Sequence, residues 1–579
     1  MQGIEKNGPK APKDPTKKRP FFFIMQGKEI YGSPAPEGKG IQFIYENDGR
    51  LIDSARLSGN ITNESMLEHL KTTEGFKEMV HSIGVSVAGR VSDVKVRFVF
   101  QMYGNKPGAE ATEITKEFMA DGMERVIELE KVDWKPTDFE PGQIRFEFDT
   151  PGIQATADVR FYLNAGFEAP EQPMESQVDF ESKDYSDMIK RSLMQLGNTQ
   201  RLESVLEKAA RGEDVTLGFI GGSITQGAGA IPIHERCYPR VFANEFEKKF
   251  CRGSKADLVK AGVGGTPSEL GMIRFERDVL RDGTKEPDLI VIEFAVNDEG
   301  DETKGVCYES LVRKAYSLPW KPAVVLLFAV FSFDWNLQDR LGPVGNQYYL
   351  PMVSILDAVT PQFSLLPEDG RVISKNQFFY DIYHPSNLGH QIMADCLINV
   401  FDEVNSSHGY HELEERQLSK TKPVIGNDFE KVELIDKNEI NRLKKKYKIA
   451  MLDEGSFNGT DTQLQRVEMD SVITPVPEFP FNWAHNEKAT GKGPFSMQLT
   501  CSKLLLVFKD SDRPEYGTAE VIVDGEKLFE ADPLKVGWTH CNAAIVFNEK
   551  VSKSHVVEIR MKEGHEDKKF TILGFGVVE

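Results

Sequence analysis

The stretch LGFIGGSITQG, residues 217–227, places a hydroxyl directly after a short apolar run and two glycines. One interpretation is a tight strand-to-helix turn, in which glycine supplies unusual dihedrals and Ser223 caps the helix. The other is a nucleophile held on a strained elbow that faces a cleft. Only the remaining chemistry of the chain can decide between them.

Three later segments end in groups of the kind that a serine nucleophile needs. The segment AGVGGTPSE contributes the glycines Gly262, Gly264 and Gly265. The strand DLIVIEFAV is followed by the amide of Asn297 and the carboxylate of Asp298. The segment FFYDIYHPSNLGH contributes the carboxylate of Asp381 and the imidazole of His384. A serine hydroxyl needs a base near neutrality, and imidazole is suited to that task. The base works better when a carboxylate holds its other nitrogen, and a developing oxyanion needs aimed N–H donors.

These segments resemble the four successive blocks of the SGNH hydrolases, the GDSL-type esterase/lipase superfamily, over about residues 184–412. The resemblance implies ester hydrolysis through an acyl-enzyme, without a metal or an organic cofactor. It also implies the site residues: Ser223 as nucleophile, His384 as base, Asp381 orienting His384, and an oxyanion hole of the Ser223 amide, Gly265 and Asn297. Gly262 is the alternative glycine donor, and block position favours Gly265.

Two features depart from, or add to, the blocks. Gly222 precedes the serine where the namesake motif has aspartate. Glu293 lies inside an apolar strand, where an unpaired charge is costly, so we expect a partner in Arg274 or Arg277.

The elements that must position these groups change along the chain. Residues 184–412 alternate amphipathic helices with near-continuous apolar strands such as PDLIVIEFAV and PAVVLLFAV, which indicates a parallel sheet covered on both faces. With the resemblance, this predicts an SGNH-type, flavodoxin-like three-layer α/β/α domain. Period-two alternation predicts jelly-roll-like β-sandwiches over 20–183 and 427–579, after a mobile tail over 1–19.

The composition of the chain argues against several classes of binding partner. The formal net charge of −20 argues against nucleic acid or an anionic membrane surface as the main partner. No apolar stretch is long enough to cross a bilayer. The six cysteines are scattered, which predicts buried thiols in a reducing, cytoplasmic compartment and neither a disulfide frame nor a zinc site.

The flanking regions suggest the substrate. Part of the N-terminal region, residues 132–164, resembles the closing strands of carbohydrate-binding modules, and β-sandwiches around a hydrolase resemble the layout of bacterial polysaccharide-acting esterases. We therefore expect a carbohydrate acetylesterase that acts on acetylated xylan- or mannan-type chains. Trp134, Trp483 and Trp538 are candidate sugar platforms, or alternatively core residues.

Three alternatives stay open. The same catalytic groups would serve an acyl-thioesterase or a lysophospholipase. A glycan-binding protein with an inactive hydrolase centre would share the flanking regions. The β-rich regions could also serve only as lids or as contacts of a homo-oligomer.

Overall fold

The computed structural model describes residues 19–35, 37–46, 49–91, 93–106, 109–172, 174–407, 414–486 and 490–579. The chain divides into two compact units, Met1–Glu175 and Ser176–Glu579. Residues 1–18 of the predicted tail lie outside the described residues. Within the described part of the chain, no helix combines the length and the apolar character needed to cross a membrane. The predicted boundaries at 183, 412 and 427 stay predictions.

The first unit consists of two antiparallel sheets. Its elements are β1 (Phe21–Tyr31), β2 (Ser33–Pro34), β3 (Gly40–Glu46), α1 (Arg50–Leu57), α2 (Glu64–His69), α3 (Thr73–Met79), β4 (Val80–Gly89), β5 (Lys95–Gly104), β6 (Glu113–Met119), β7 (Arg125–Glu128), β8 (Asp138–Phe148) and β9 (Gln154–Leu163). The strand orders are β1-β9-β4-β7 and β2-β3-β8-β5-β6. Alternate residues of both sheets, such as Phe98, Phe100, Val159 and Phe161, meet in one hydrophobic core.

The second unit begins with alternating helices and strands. They are α4 (Lys183–Arg191), β10 (Leu193–Gln195), α5 (Gln200–Ala210), β11 (Val215–Gly221), α6 (Ser223–Gln226), α7 (Ile233–Arg236), α8 (Tyr238–Phe250), β12 (Ala256–Gly262), α9 (Ser268–Ile273), α10 (Phe275–Asp278), β13 (Leu289–Glu293), α11 (Val306–Tyr316), β14 (Ala323–Phe328), α12 (Gln338–Tyr348), β15 (Met352–Ser354), α13 (Ile355–Phe363), α14 (Lys375–Phe378) and α15 (Asn387–Ser407).

These strands form one sheet in the order β10-β15-β14-β13-β11-β12. The pairs from β15 to β12 are parallel, as predicted, whereas the short edge strand β10 is antiparallel to β15. Gly221 at the end of β11 is in register with Gly262 of β12 and with Glu293 of β13. The loops that follow these three strands therefore begin side by side at the carboxyl edge of the sheet.

The rest of the second unit is mainly strands. Its elements within the described residues, ten strands and one short α-helix, are β16 (Glu433–Ile435), α16 (Ile440–Leu443), β17 (Met451–Asp453), β18 (Arg466–Val467), β19 (Val476–Pro477), β20 (Trp483–His485), β21 (Phe495–Asp510), β22 (Ala519–Val523), β23 (Glu526–Ala531), β24 (His540–Met561) and β25 (Phe570–Val578). We refer to residues 427–579 as the C-terminal β region.

The predicted two-sheet sandwich of this region is matched only in part, because eight strands form one sheet around the long β21 and β24. Register shifts interrupt the pairing of these two strands after Cys501 and again near Leu504. Leu504 and Leu506 of β21 face a core within the region, whereas Leu505 and Val507 share a core with helices α9 and α11. Both faces of β21 are thus buried, one of them against the parallel-sheet region.

Candidate active site

Ser223 begins the short helix α6 directly after strand β11. A side chain at Gly221 would meet Thr225 Cβ at 2.8 Å and the carbonyl oxygen of Glu293 at 2.5 Å. Gly227 ends the helix with φ 114°, a left-handed conformation that favours glycine. The glycines thus allow a turn tight enough to present Ser223 at the edge of the sheet.

His384 connects Ser223 to Asp381. Its Nε2 lies 3.0 Å from Ser223 Oγ, and its Nδ1 lies 2.8 Å from Asp381 Oδ2. The other carboxylate oxygen of Asp381 accepts the main-chain N–H groups of Tyr383 and His384, each at 2.8 Å. The carboxylate holds the imidazole with Nδ1 protonated, so that Nε2 is free to accept the hydroxyl proton of Ser223.

The three predicted oxyanion donors follow the ends of the neighbouring strands β11, β12 and β13. Ser223 is the first residue of α6, so helix hydrogen bonding does not use its N–H. Asn297 begins the 3₁₀ turn after β13, and its Nδ2 lies 2.8 Å from where a side chain on Gly222 would begin. Gly265 has φ 72° and lies in the loop after β12. The placement is compatible with an oxyanion hole, whose donor roles remain proposals.

The structure separates the candidate glycines. Gly262 is paired with Gly221 inside the sheet, and a side chain there would meet Gln226 Cα at 2.5 Å. The N–H of Gly264 donates to Gln226 Oε1 at 2.8 Å and is therefore already used. Since Gly262 lies inside the sheet and the N–H of Gly264 is already bonded, Gly265 is retained as the candidate donor.

The buried side chain of Glu293 contacts the turn that contains Ser223. Its Oε2 accepts the hydroxyl of Thr225 at 3.0 Å. Burial raises the pKa of Glu293 to about 7. The buried carboxyl group therefore contacts the turn through Thr225, two residues after Ser223.

The predicted pairing of Glu293 with Arg274 or Arg277 is wrong. Arg274 donates to the main-chain carbonyls at the ends of β11 and β12 and pairs with Asp278 at 3.1 Å. Arg277 pairs with the same aspartate and with Glu478 of the C-terminal β region. Both guanidinium groups bond to other acceptors, and Glu293 accepts the hydroxyl of Thr225 instead.

A comparison with protein families agrees with this geometry. Residues 219–392 match the model of the GDSL-like lipase/acylhydrolase family, and this range contains Ser223, Asp381 and His384. The central region is an SGNH hydrolase domain. A search of curated proteins found no match to the chain.

Two solved structures resemble this chain beyond the SGNH domain alone. Both are of a two-domain esterase active on acetylated mannans, and one of them was co-crystallised with mannopentaose. Their sequence identities to this chain are 26% and 28%, with TM-scores of 0.55 and 0.54. Each alignment covers 68% of this chain and 99% of the solved chain.

Of the three candidate sugar platforms, Trp538 lies beside the SGNH site. Its side chain is 42% exposed, and its Cζ2 lies 2.6 Å from where a side chain on Gly265 would begin. Trp483 is fully buried in the core of the C-terminal β region. Trp134 packs against the core of the first unit and donates its ring N–H to Leu129. The exposed ring of Trp538 thus lies against the loop after β12.

A second aromatic group lies near the site, in the segment FSFDW at residues 331–335. Phe333 is 56% exposed and contacts the rings of Phe331 and Trp335, and Phe331 in turn contacts Tyr383, beside His384. The signal was present as three aromatic residues within five positions after β14. Exposed rings thus lie next to the base as well as next to Gly265.

A buried acidic group lies behind the site. Among the described residues, Glu269, Asp301 and Cys307 form the one set of side chains whose metal-ligating atoms lie within 4.8 Å of one another. Burial and the charge of Asp301 raise the pKa of Glu269 to about 9. At neutral pH Glu269 is therefore protonated, and the proton offsets the repulsion between the two carboxyl groups.

Proposed function

We propose that the protein is a serine esterase that removes O-acetyl groups from acetylated oligo- or polysaccharides through an acyl-enzyme. The observation that carries the proposal is the continuous Ser223–His384–Asp381 contact at the carboxyl edge of the sheet. The SGNH family match supports ester hydrolysis as the reaction.

In the first half-reaction, Ser223 Oγ attacks the acetyl carbonyl carbon while His384 Nε2 takes the hydroxyl proton. The carbonyl oxygen becomes an oxyanion, which the N–H groups of Ser223, Gly265 and Asn297 stabilise. When this intermediate collapses, the bond to the sugar oxygen breaks and His384 returns its proton to that oxygen. Acetyl-Ser223 and a free sugar hydroxyl result.

In the second half-reaction, water attacks the acetyl carbonyl carbon and gives a proton to His384. Cleavage of the ester bond releases acetate, and the proton returns to Ser223 Oγ. Asp381 stays ionised and stabilises the imidazolium in both halves.

Two observations support a carbohydrate as the alcohol part of the ester. Trp538 on one side and the ring cluster around Phe333 on the other offer exposed aromatic surface next to the triad. Aromatic rings of this kind present a large apolar face to a ligand. Mannan is favoured over xylan, because the similar solved structures are of an esterase active on acetylated mannans.

A cytoplasmic location is part of the same proposal. The six cysteines are all free thiols, and five of them are buried, as suits a reducing compartment.

Acetate release from acetylated mannan, acetylated xylan and their oligosaccharides tests the proposal. We expect release by the parent protein and a loss of about 1,000-fold or more in Ser223→Ala. A Ser223→Ala protein as fast as the parent would show that the nucleophile is wrong. Faster turnover of p-nitrophenyl octanoate than of the acetate would favour the thioesterase or lysophospholipase alternative. Sugar binding without any hydrolysis would favour the glycan-binding alternative.

A further inference from the structure

The loop after β12 is held by two side chains of the C-terminal β region. Gln465 Nε2 donates to the carbonyl oxygen of Gly264 at 2.8 Å. His540 Nε2 lies 3.1 Å from the carbonyl oxygen of Gly265, and a carbonyl only accepts, so this nitrogen carries the proton. Both side chains are buried. Two consecutive peptide carbonyls of the loop are therefore fixed by a part of the chain that follows the SGNH domain.

The orientation of the Gln465 amide is determined by its other contact. Its Oε1 accepts the main-chain N–H of Cys541 at 2.9 Å, which leaves Nε2 to face Gly264. The main-chain carbonyl of Gln465 in turn accepts the N–H of Glu478 at 2.8 Å. Both the backbone and the side chain of Gln465 are thus held in place.

This contact acts on the same peptide unit as the proposed donor. The carbonyl of Gly264 and the N–H of Gly265 belong to one planar trans peptide, in which they point in opposite directions. A donor fixed on the carbonyl therefore sets the direction of the N–H. It also polarises that N–H, since hydrogen bonds at the two ends of an amide strengthen each other.

The other side of Gly264 is fixed as well. Its N–H donates to Gln226 Oε1 at 2.8 Å, and Gln226 Nε2 donates to Glu468 Oε2 at 2.6 Å. Glu468 also belongs to the C-terminal β region. The peptide that contains the Gly265 N–H consequently has little freedom to rotate.

We propose that Gln465 is a positioning residue for the oxyanion hole, which orients the N–H of Gly265 through the carbonyl of Gly264. The inference rests on the proposed function, because it requires Gly265 to be an oxyanion donor. It assigns the C-terminal β region a part in catalysis besides any contact with sugar.

Two substitutions separate the hydrogen bond from the packing of the side chain. Gln465→Met removes the donor at similar volume. Gln465→Glu keeps the acceptor for Cys541 but offers Gly264 a carboxylate, which donates a hydrogen bond only when it is protonated. Gln463→Glu is the matched control, since Gln463 is exposed, lies two residues away and bonds to Arg513 instead.

With p-nitrophenyl acetate, we expect Gln465→Met to lower kcat about 10- to 100-fold with little change in KM. Misaligning an oxyanion donor should cost less than removing it, because the misaligned N–H still stabilises the oxyanion in part. For Gln465→Glu, the ratio of parent kcat to variant kcat should be large at pH 8. It should fall toward one as the pH approaches 5, because the protonated carboxyl group can then donate to the carbonyl of Gly264. The ratio cancels any pH dependence that the two proteins share. Gln463→Glu should keep the parent kcat throughout.

Thermal unfolding of each variant distinguishes a structural role. Variants that unfold at lower temperature but keep the parent kcat while folded would overturn the inference, and so would a pH-independent ratio near one. If Ser223→Ala is inactive and Gln465→Met is fully active, the inference alone fails. Activity retained by Ser223→Ala overturns the proposed function and the inference together.

Discussion

Gly222 lies where the namesake motif of the family carries aspartate, and the structure predicts that even alanine is not tolerated there. A Cβ at Gly222 would lie 2.8 Å from Asn297 Nδ2 and still closer to Cγ and Oδ1. Gly222 has φ −88°, which is outside the left-handed region that favours glycine. The clash is therefore with the Asn297 amide, which has to move by roughly 1 Å or more to reach an ordinary contact of about 3.5 Å.

The size of the effect follows from the proposed role of Asn297. A displaced amide no longer aims its N–H at the oxyanion, and the loss of one such donor costs about 100- to 1,000-fold in kcat, or roughly 3–4 kcal/mol of transition-state stabilisation. Asn297→Ala should show a loss of the same size. In the double variant, Asn297→Ala makes room for the new Cβ, so the combined loss should equal that of either single change.

The assay is kcat for p-nitrophenyl acetate, with thermal unfolding measured in parallel. Gly300→Ala is the control, because Gly300 ends the 3₁₀ turn begun by Asn297 and a Cβ there meets no atom within 4 Å. A Gly222→Ala protein within twofold of the parent kcat would refute the reasoning. Losses that multiply in the double variant would show that Gly222→Ala acts on something other than Asn297.

Three further predictions concern the surroundings of the triad. Asp381→Asn should lower kcat by about 100-fold or more without loss of folding, because the imidazole loses its carboxylate partner; a kcat within threefold of the parent would contradict this. Trp538→Ala should raise KM for acetylated manno-oligosaccharides by about tenfold and leave p-nitrophenyl acetate unaffected, and equal losses on both substrates would assign Trp538 to support of the loop instead. Folded Glu269 keeps its proton to about pH 9, whereas the unfolded chain releases it near pH 4.5, so the free energy of unfolding should fall by up to about 1.4 kcal/mol per pH unit between these values. In urea titrations Glu269→Gln should flatten this slope and the exposed Glu299→Gln should not, and identical slopes in all three proteins would rule the assignment out.

The triad could be predicted from the sequence because its parts are set by local rules. Ser223 follows the end of a strand, and the glycines around it mark a tight turn. Asp381 and His384 are three residues apart, and the carboxylate of Asp381 caps the N–H groups of Tyr383 and His384 in the same turn. Short-range spacing therefore placed the carboxylate and the imidazole together in the turn between α14 and α15.

The C-terminal β region was less predictable, because period-two alternation assumes that one face of a strand is wet. The run LLLVF at 504–508 is apolar at every position. Leu504 and Leu506 are buried in the region itself, while Leu505 and Val507 are buried against the SGNH domain. When both faces of a strand are buried, its sequence is apolar throughout and does not indicate which part of the protein covers each face.

The residues that hold the loop after β12 were beyond sequence analysis for the same reason. Gln465 and His540 are 201 and 275 positions from the carbonyls that they contact, and no spacing pattern connects residues so far apart. Their positions depend on how the C-terminal sheet packs on the SGNH domain. Because this packing also buries Arg277 against Glu478, polar and apolar contacts favour the same arrangement. A domain boundary drawn from composition near residue 412 would therefore separate Ser223 from the side chains that contact the loop after β12, although all of them belong to one folded unit.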